Sequence, residues 1–244
     1  MSMFLVNHVS INKRALTLLI LLLLTAAMLS SRGVAVGQSN NAAQPAKKAN
    51  ERPAAPAKSP EPFDTASVEQ MAGQCVTLDT EAGAIRLEVL PEAAPETVRN
   101  FLNLAAIGAF DTTTFSRVVK DFVIQGGNVA TRQGITAELV ARVTRKIPDE
   151  PNYVKHVRGV VSMARPEEPN SASSHFFILI GDAPNLDGKF AAFGRVVSGM
   201  DVADAINHAP AEGEKPEKPV RIKRAAVSPC VKGEKPAGAT APQF

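Results

Sequence analysis

Little in this chain could hold a metal ion. Its 244 residues include two cysteines and four histidines. His8, His156, His175 and His208 are scattered without ligand spacing or paired cysteines, so no metal site is expected. No G-x-S-x-G elbow occurs. Ser173 and Ser174 beside His175 do not replace it, because neighbours on a strand point to opposite faces. No glycine-rich loop is present to cradle a phosphate. The net charge of +3 is dispersed and lacks a basic stripe interleaved with aromatics, which argues against nucleic acid as a partner. With no internal repeat, no heptad pattern and no long exposed apolar stripe, a monomer is expected. What these absences leave is a domain that works without metal or cofactor.

The one long apolar run lies near the N-terminus. It spans residues 15–29 behind Lys13 and Arg14, the layout of a secretory signal, and is shorter than the roughly 20 residues a spanning helix needs. Residues 1–37 therefore read as a signal peptide cleaved after Gly37, or as a retained N-terminal membrane anchor. Either way the chain is expected to be exported, to the periplasm or another extracytoplasmic space, with a possible membrane tether. Residues 38–70 are rich in Ala, Pro, Lys, Asn and Glu. They read as a disordered linker, because they cannot bury enough apolar surface to offset the entropy of ordering. Residues 233–244 read as a disordered tail, which leaves 71–232 as the folded domain.

Within that domain strands predominate. Ile85, Leu87 and Val89 alternate with Arg86 and Glu88, the period of a half-buried strand, and Val76 to Asp79 precede them across the turn 80–83 as a hairpin partner. Thr114–Val119, Phe122–Gln125, Gly159–Met163, His175–Leu179, Ala191–Val197 and Val220–Val227 complete eight strands. Pro95 suits a first helical turn, and Val98, Phe101, Leu102 and Ala105 follow at helical spacing until Gly108. A second helix is expected from Ser198, with Asp201 three residues on and Val202 and Ile206 as its buried stripe. The fold class is mainly β: a closed eight-stranded antiparallel barrel capped by two α-helices, an arrangement that removes exposed edges.

The most specific signal is an ordered set of short motifs. Phe115-Ser116-Arg117-Val118-Val119-Lys120-Asp121-Phe122-Val123-Ile124-Gln125-Gly126-Gly127 is followed by Ser162-Met163-Ala164-Arg165, by Ser174-His175-Phe176-Phe177 and by Leu186-Asp187-Gly188. Over residues 74–231 the chain resembles the cyclophilin family of peptidyl-prolyl cis-trans isomerases, a family with the barrel architecture just described. The resemblance implies a role for each motif position. Arg117, Phe122 and Gln125 match catalytic positions. Val123, Ala164, Arg165, His175, Phe177, Leu186 and Phe190 match positions that bind substrate, the apolar ones around the proline ring. Proline-containing unfolded or flexible protein segments are the implied partners.

The chemistry suits these residue types. Rotation about an X-Pro bond faces a barrier of about 18–20 kcal/mol set by amide resonance. A fixed donor aimed at the amide nitrogen binds the twisted state, in which the nitrogen lone pair is freed, better than either planar isomer. Arginine supplies rigidly oriented donors at any physiological pH.

Three positions depart from the family's usual pattern: Arg165 in place of Asn, His175 in place of Gln, and Phe190 in place of His or Tyr. Arg165 is expected to bias the groove toward acidic peptides. His175 is expected to make substrate affinity mildly dependent on pH between about 6 and 7.5. Asn185 stands where animal members often carry Trp, which predicts weak inhibition by cyclosporin. The resemblance also implies that the strands carrying Cys75 and Cys230 pair antiparallel, bringing the two together. In an exported protein they would form a disulfide; the alternative is two free, partly buried thiols. Two functions follow, an active isomerase assisting folding outside the cytoplasm, or a non-catalytic peptide-binding or chaperone module on the same fold.

Overall fold

The structure, a computed structural model, describes residues 60–231. The expected signal or anchor, most of the expected linker and the C-terminal tail lie outside the described residues. Among the described residues there are ten strands: β1 (Gln74–Thr80), β2 (Gly83–Val89), β3 (Arg117–Val119), β4 (Val123–Gly126), β5 (Val160–Met163), β6 (Phe176–Leu179), β7 (Ala192–Ser198), β8 (Ala211–Glu212), β9 (Lys215–Pro216) and β10 (Ile222–Pro229). Four α-helices accompany them: α1 (Val68–Ala72), α2 (Pro95–Ala106), α3 (Ala137–Val143) and α4 (Met200–Asn207).

Eight strands form one sheet in the order β10-β1-β2-β7-β5-β6-β4-β3, antiparallel at every pairing. In place of the expected closed barrel the sheet is a strongly curled half-barrel, because its edge strands β3 and β10 share no ladder. The physical reason lies at the outer edge of β3, where the Val118 N–H donates to the carbonyl of Glu214 at 2.8 Å. Glu214 sits in the turn of the small β8–β9 hairpin, which occupies the edge that a closing strand would need. Ahead of β3, the chain still reaches toward β10 through an isolated bridge from Thr114 to Arg221 and a bond from Phe115 N to Val220 O.

The central strands bury both faces, and the period of two sorts their residues. Ile124, Val161, Met163, Phe176, Ile178 and Phe193 enter the main core. Val123, Val160, Phe177, Leu179 and Ala192 form a second apolar cluster on the opposite face, against which Phe122, Ala164, Leu186 and Phe190 pack. That second cluster is the floor of the functional site. In the main core, the Phe101 ring of α2 meets Phe110, Phe176 and Phe193 at centroid distances of 5.1, 5.3 and 4.8 Å, so the helix is held by aromatic packing.

Three further sequence expectations need correction. The folded body begins before residue 71. The Phe63 N–H donates to Asn103 Oδ1 at 2.8 Å, and Arg99 Nη1 donates to the carbonyls of Phe63 and Ala66, each at 2.7 Å. Ser67 and Gln70 then form a reciprocal capping box on α1, so residues 60–70 are an ordered strap across α2 and not linker. Secondly, Ser198 ends β7, and α4 starts at Met200 behind Gly199, whose φ of 87° is left-handed. A side chain there would collide with the Ala84 carbonyl, so glycine sets the boundary. Thirdly, the described residues hold four α-helices where two were expected; α3 was not anticipated, and the short α1 begins inside the expected linker.

Candidate active site

Antiparallel register builds the centre of the site. Arg117 pairs with Gln125 across β3 and β4, Gln125 with Phe177 across β4 and β6, and Phe177 with Ser162 across β6 and β5. Directly opposed residues share a face, so one rung carries the guanidinium, the amide and the aromatic floor side by side. A slip of one residue would turn all of them into the core.

Two devices hold the rung. The turn between β3 and β4 places Asp121 at a left-handed φ of 57°, and buried Asn207 at the end of α4 secures it. Asn207 Oδ1 accepts from Asp121 N at 2.8 Å, while its Nδ2 donates to the carbonyls of Val119 and Val123 at 2.9 and 3.1 Å. Beyond β4, Gly127 has φ 80° and a Cβ there would lie 2.1 Å from the Ser174 carbonyl. Only glycine lets the strand pass the segment that leads into β6.

Nine residues line a cleft of about 170 Å³: Arg117, Phe122, Val123, Gln125, Ala164, Arg165, Phe177, Leu186 and Phe190. All belong to the expected set. His175, the remaining expected residue, lies beside the cleft and gives its backbone carbonyl to Ala164 N at 2.9 Å. The volume falls well below the roughly 300–1,000 Å³ of pockets for drug-sized ligands, and suits one small apolar ring. Phe177 and Phe190 meet edge to face at 6.0 Å to form one wall.

At the polar end Arg117 is half-buried and held on one edge. Its Nε and Nη2 donate to the two carboxylate oxygens of Glu214 at 2.7 and 2.9 Å, and Nη1 lies 3.4 Å from Gln125 Oε1. The Arg117 hydrogen bonds hold the Glu214 carboxyl below the usual carboxylate range. With Gln125 Oε1 turned to Arg117, the amide N–H groups of Gln125 remain to donate to a carbonyl in the cleft.

The opposite wall, residues 183–190, is fastened from below by His156. The Ala183 N–H donates to the His156 carbonyl at 2.7 Å, and the His156 N–H donates to Asp187 Oδ1 at 2.8 Å. The His156 ring contacts Asp187 Oδ1 through Nδ1 at 3.3 Å and Ser162 Oγ through Nε2 at 3.2 Å. Ser162, His156 and Asp187 thus have the composition of a hydrolytic triad. Ser162 is 0% exposed and His156 1%, so no acyl group reaches them and the trio is a brace. Burial pushes the His156 pKa below its ordinary value despite Asp187, and burial alone does the same for His175.

These facts revise two expectations for the departing residues. Burial disfavours the charged His175 ring, so the expected affinity change moves toward lower pH. Arg165 is not a free cation. Its Nε lies 3.3 Å from Asp149 Oδ1, Nη1 donates to the Pro166 carbonyl at 2.9 Å, and the guanidinium stands 5.5 Å above the Phe190 ring. Paired with Asp149 and stacked on Phe190, it braces the pocket mouth, and a bias toward acidic peptides loses its unbalanced charge.

Glu214, Asn207, His156 and Asp187 belong to the site although sequence reasoning passed over them as site residues. Each acts across a long sequence separation, 97 residues for Arg117 and Glu214 and 31 for His156 and Asp187. Asp187 alone carried a signal, its place in the Leu186-Asp187-Gly188 motif. Among the described residues no group of three or more His, Cys, Asp or Glu could hold a metal ion. The arrangement offers a seat for one apolar ring, hydrogen-bonding groups for an extended peptide backbone, and one oriented guanidinium.

Comparison with known proteins finds relatives of one kind. The sequence profile of the cyclophilin type peptidyl-prolyl cis-trans isomerase/CLD family matches residues 75–227. Peptidyl-prolyl cis-trans isomerase cypE of Dictyostelium discoideum is 40% identical over 160 residues, 65% of this chain and 100% of that protein. Peptidyl-prolyl cis-trans isomerase CYP23 of Arabidopsis thaliana is 38% identical over 141 residues, 57% of this chain and 62% of that protein. Among solved structures, a cyclophilin type peptidyl-prolyl cis-trans isomerase of Cryptosporidium parvum, crystallised in the presence of the dipeptide Ala-Pro, superposes with a TM-score of 0.56 and 29% identity. That match covers 63% of this chain and 98% of that chain.

Proposed function

Because this chain belongs to the cyclophilin-type peptidyl-prolyl cis-trans isomerase family and is such an isomerase, we propose that it turns over X-Pro bonds of flexible protein segments at Arg117, outside the cytoplasm. The proline ring sits among Phe122, Val123, Phe177, Leu186 and Phe190. Gln125 and the backbone at Ala164 hold the peptide extended, which makes recognition tolerant of the flanking sequence. Arg117 Nη1 donates to the proline nitrogen as the amide twists, an interaction absent from both planar isomers and therefore spent on the barrier.

The observation that carries this reading is the single rung of Arg117, Gln125 and Phe177 over an apolar cleft sized for one ring. Export rests on the N-terminal apolar run together with the bond between Cys75 and Cys230, since disulfides persist chiefly in oxidising compartments. A peptidase able to remove residues 1–37 would release a soluble monomer, whereas retention would leave the domain tethered to the membrane. Incubating an X-Pro peptide with the full chain tests the activity. Faster cis-trans exchange is expected; peptide binding without faster exchange would leave a binding module in its place.

A further inference from the structure

The β8–β9 hairpin carries no motif, yet its turn delivers a carboxylate to the guanidinium at the centre of the site. We propose that Glu214 is a positioning residue for Arg117, fixing the orientation in which Nη1 faces the cleft. This inference rests on the catalytic reading of Arg117.

A guanidinium is planar and presents separate donor edges. Glu214 fills the edge formed by Nε and Nη2 with two bonds of 2.7 and 2.9 Å, a bidentate geometry that leaves the plane one orientation. Nη1 then points to Gln125 Oε1, 3.4 Å away, on the side where the cleft opens. The carboxylate is itself placed by backbone. The carbonyl of the same residue accepts the Val118 N–H at 2.8 Å, one residue after Arg117. Glu214 thus grips β3 twice, through its main chain to fix the hairpin and through its side chain to fix the donor.

Stability is a poor explanation for this pair. The two side chains are 41% and 57% exposed, and ion pairs at such exposure add little to folding. Orientation is a better one. Arg117 sits on a short edge strand, and without a partner its long side chain would sample many rotamers, each wasting the encounter with a twisting amide. Glu214 settles that orientation before substrate arrives. The expected cost of removing it falls on turnover, because proline-ring binding is supplied by the aromatic wall, which Glu214 does not line.

The test compares full-length parent, Glu214→Gln, Arg117→Ala and the double variant, using exchange of an X-Pro peptide at several peptide concentrations. Glu214→Gln keeps the backbone bond to Val118, and an unchanged melting temperature verifies that the fold persists. Its kcat is expected to fall by about tenfold, with KM within about twofold of the parent, and the double variant is expected to be no slower than Arg117→Ala alone. A Glu214→Gln kcat equal to or above the parent's would overturn the proposal, the latter outcome making Glu214 a brake. So would an equal proportional loss in the Arg117→Ala background, since the carboxylate would then act through something else. Retention of full activity by Arg117→Ala would remove the catalytic reading itself, a failure distinct from that of Glu214.

Discussion

Burial of His156 and His175 beside the cleft lowers both pKa values, and this determines how stability responds to acid. An unfolded histidine protonates near pH 6.5, so as pH falls past that value the unfolded chain binds protons that the folded domain refuses. By linkage, stability is flat above about pH 7.5 and declines toward pH 5. Urea midpoints at pH 7.5 and 5.5 should show that decline, and His156→Gln with His175→Gln should flatten it even if both variants are weaker throughout. A parent midpoint that rises on acidification would contradict the burial argument. At this scale the sequence was informative wherever a residue sits inside a motif. Arg117, Phe122, Gln125 and Phe177 were singled out by the family resemblance of their motifs, and the structure brings all four to one cleft. Glu214 lies in the charged run Glu212-Gly213-Glu214-Lys215, which looks like any solvated turn until its fold over β3 is seen.

The eight sheet strands were all legible as elements, because alternation and β-branched runs report burial on one or both faces. Their ends were less so. Ser198 resembles a helix cap, but Gly199 takes the left-handed turn and leaves Ser198 in β7. α2 shows the limit of local reading most plainly. Its N-cap, Ala94, provides no side-chain bond. The caps come from Glu150, whose two oxygens accept from Glu96 N and Thr97 N at 3.0 and 2.7 Å, a carboxylate at the positive end of a helix. The capping box of Ser67 and Gln70, in contrast, is visible in the sequence and was masked by the Pro/Ala-rich composition before it. Contacts between elements also bear on function. Asn207 of α4 has three hydrogen bonds into the β3–β4 turn, so Asn207→Ala would leave buried polar groups of that turn unpaired. A loss of about 1–3 kcal/mol is expected by urea titration, together with lower isomerase activity, since Phe122 and Val123 lie in or next to that turn. A variant as stable and as active as the parent would show the turn to be self-supporting.

At the scale of the folded domain, one edge of the open sheet is tied by a disulfide and the other is covered by a hairpin. Cys75 in β1 and Cys230 beyond β10 are bonded, with Cα atoms 5.0 Å apart and a sequence separation of 155. Linking positions so far apart removes much freedom from the unfolded chain, and reduction is expected to lower stability by about 2–5 kcal/mol. Parallel urea titrations with and without reductant measure this, and identical midpoints would contradict it. The bond lies across β1 and β10, at the far end of the sheet order from the rung of Arg117, so activity at temperatures well below unfolding should survive reduction. The pairing was implied by family resemblance and could not have been read from cysteine spacing, since it depends on where two strands distant in the chain meet. The half-barrel outline was equally hidden, because a two-strand hairpin of charged residues displaces the closing ladder. The central claim is that a guanidinium held over an apolar seat catalyses rotation of the X-Pro bond. Its most direct measurement is the cis-trans exchange rate of a saturating X-Pro peptide with full-length parent and Arg117→Ala. The account predicts rapid exchange in the parent and a fall of about 10²–10³-fold in the variant, with peptide still bound; an Arg117→Ala chain that exchanges the peptide as fast as the parent would contradict it.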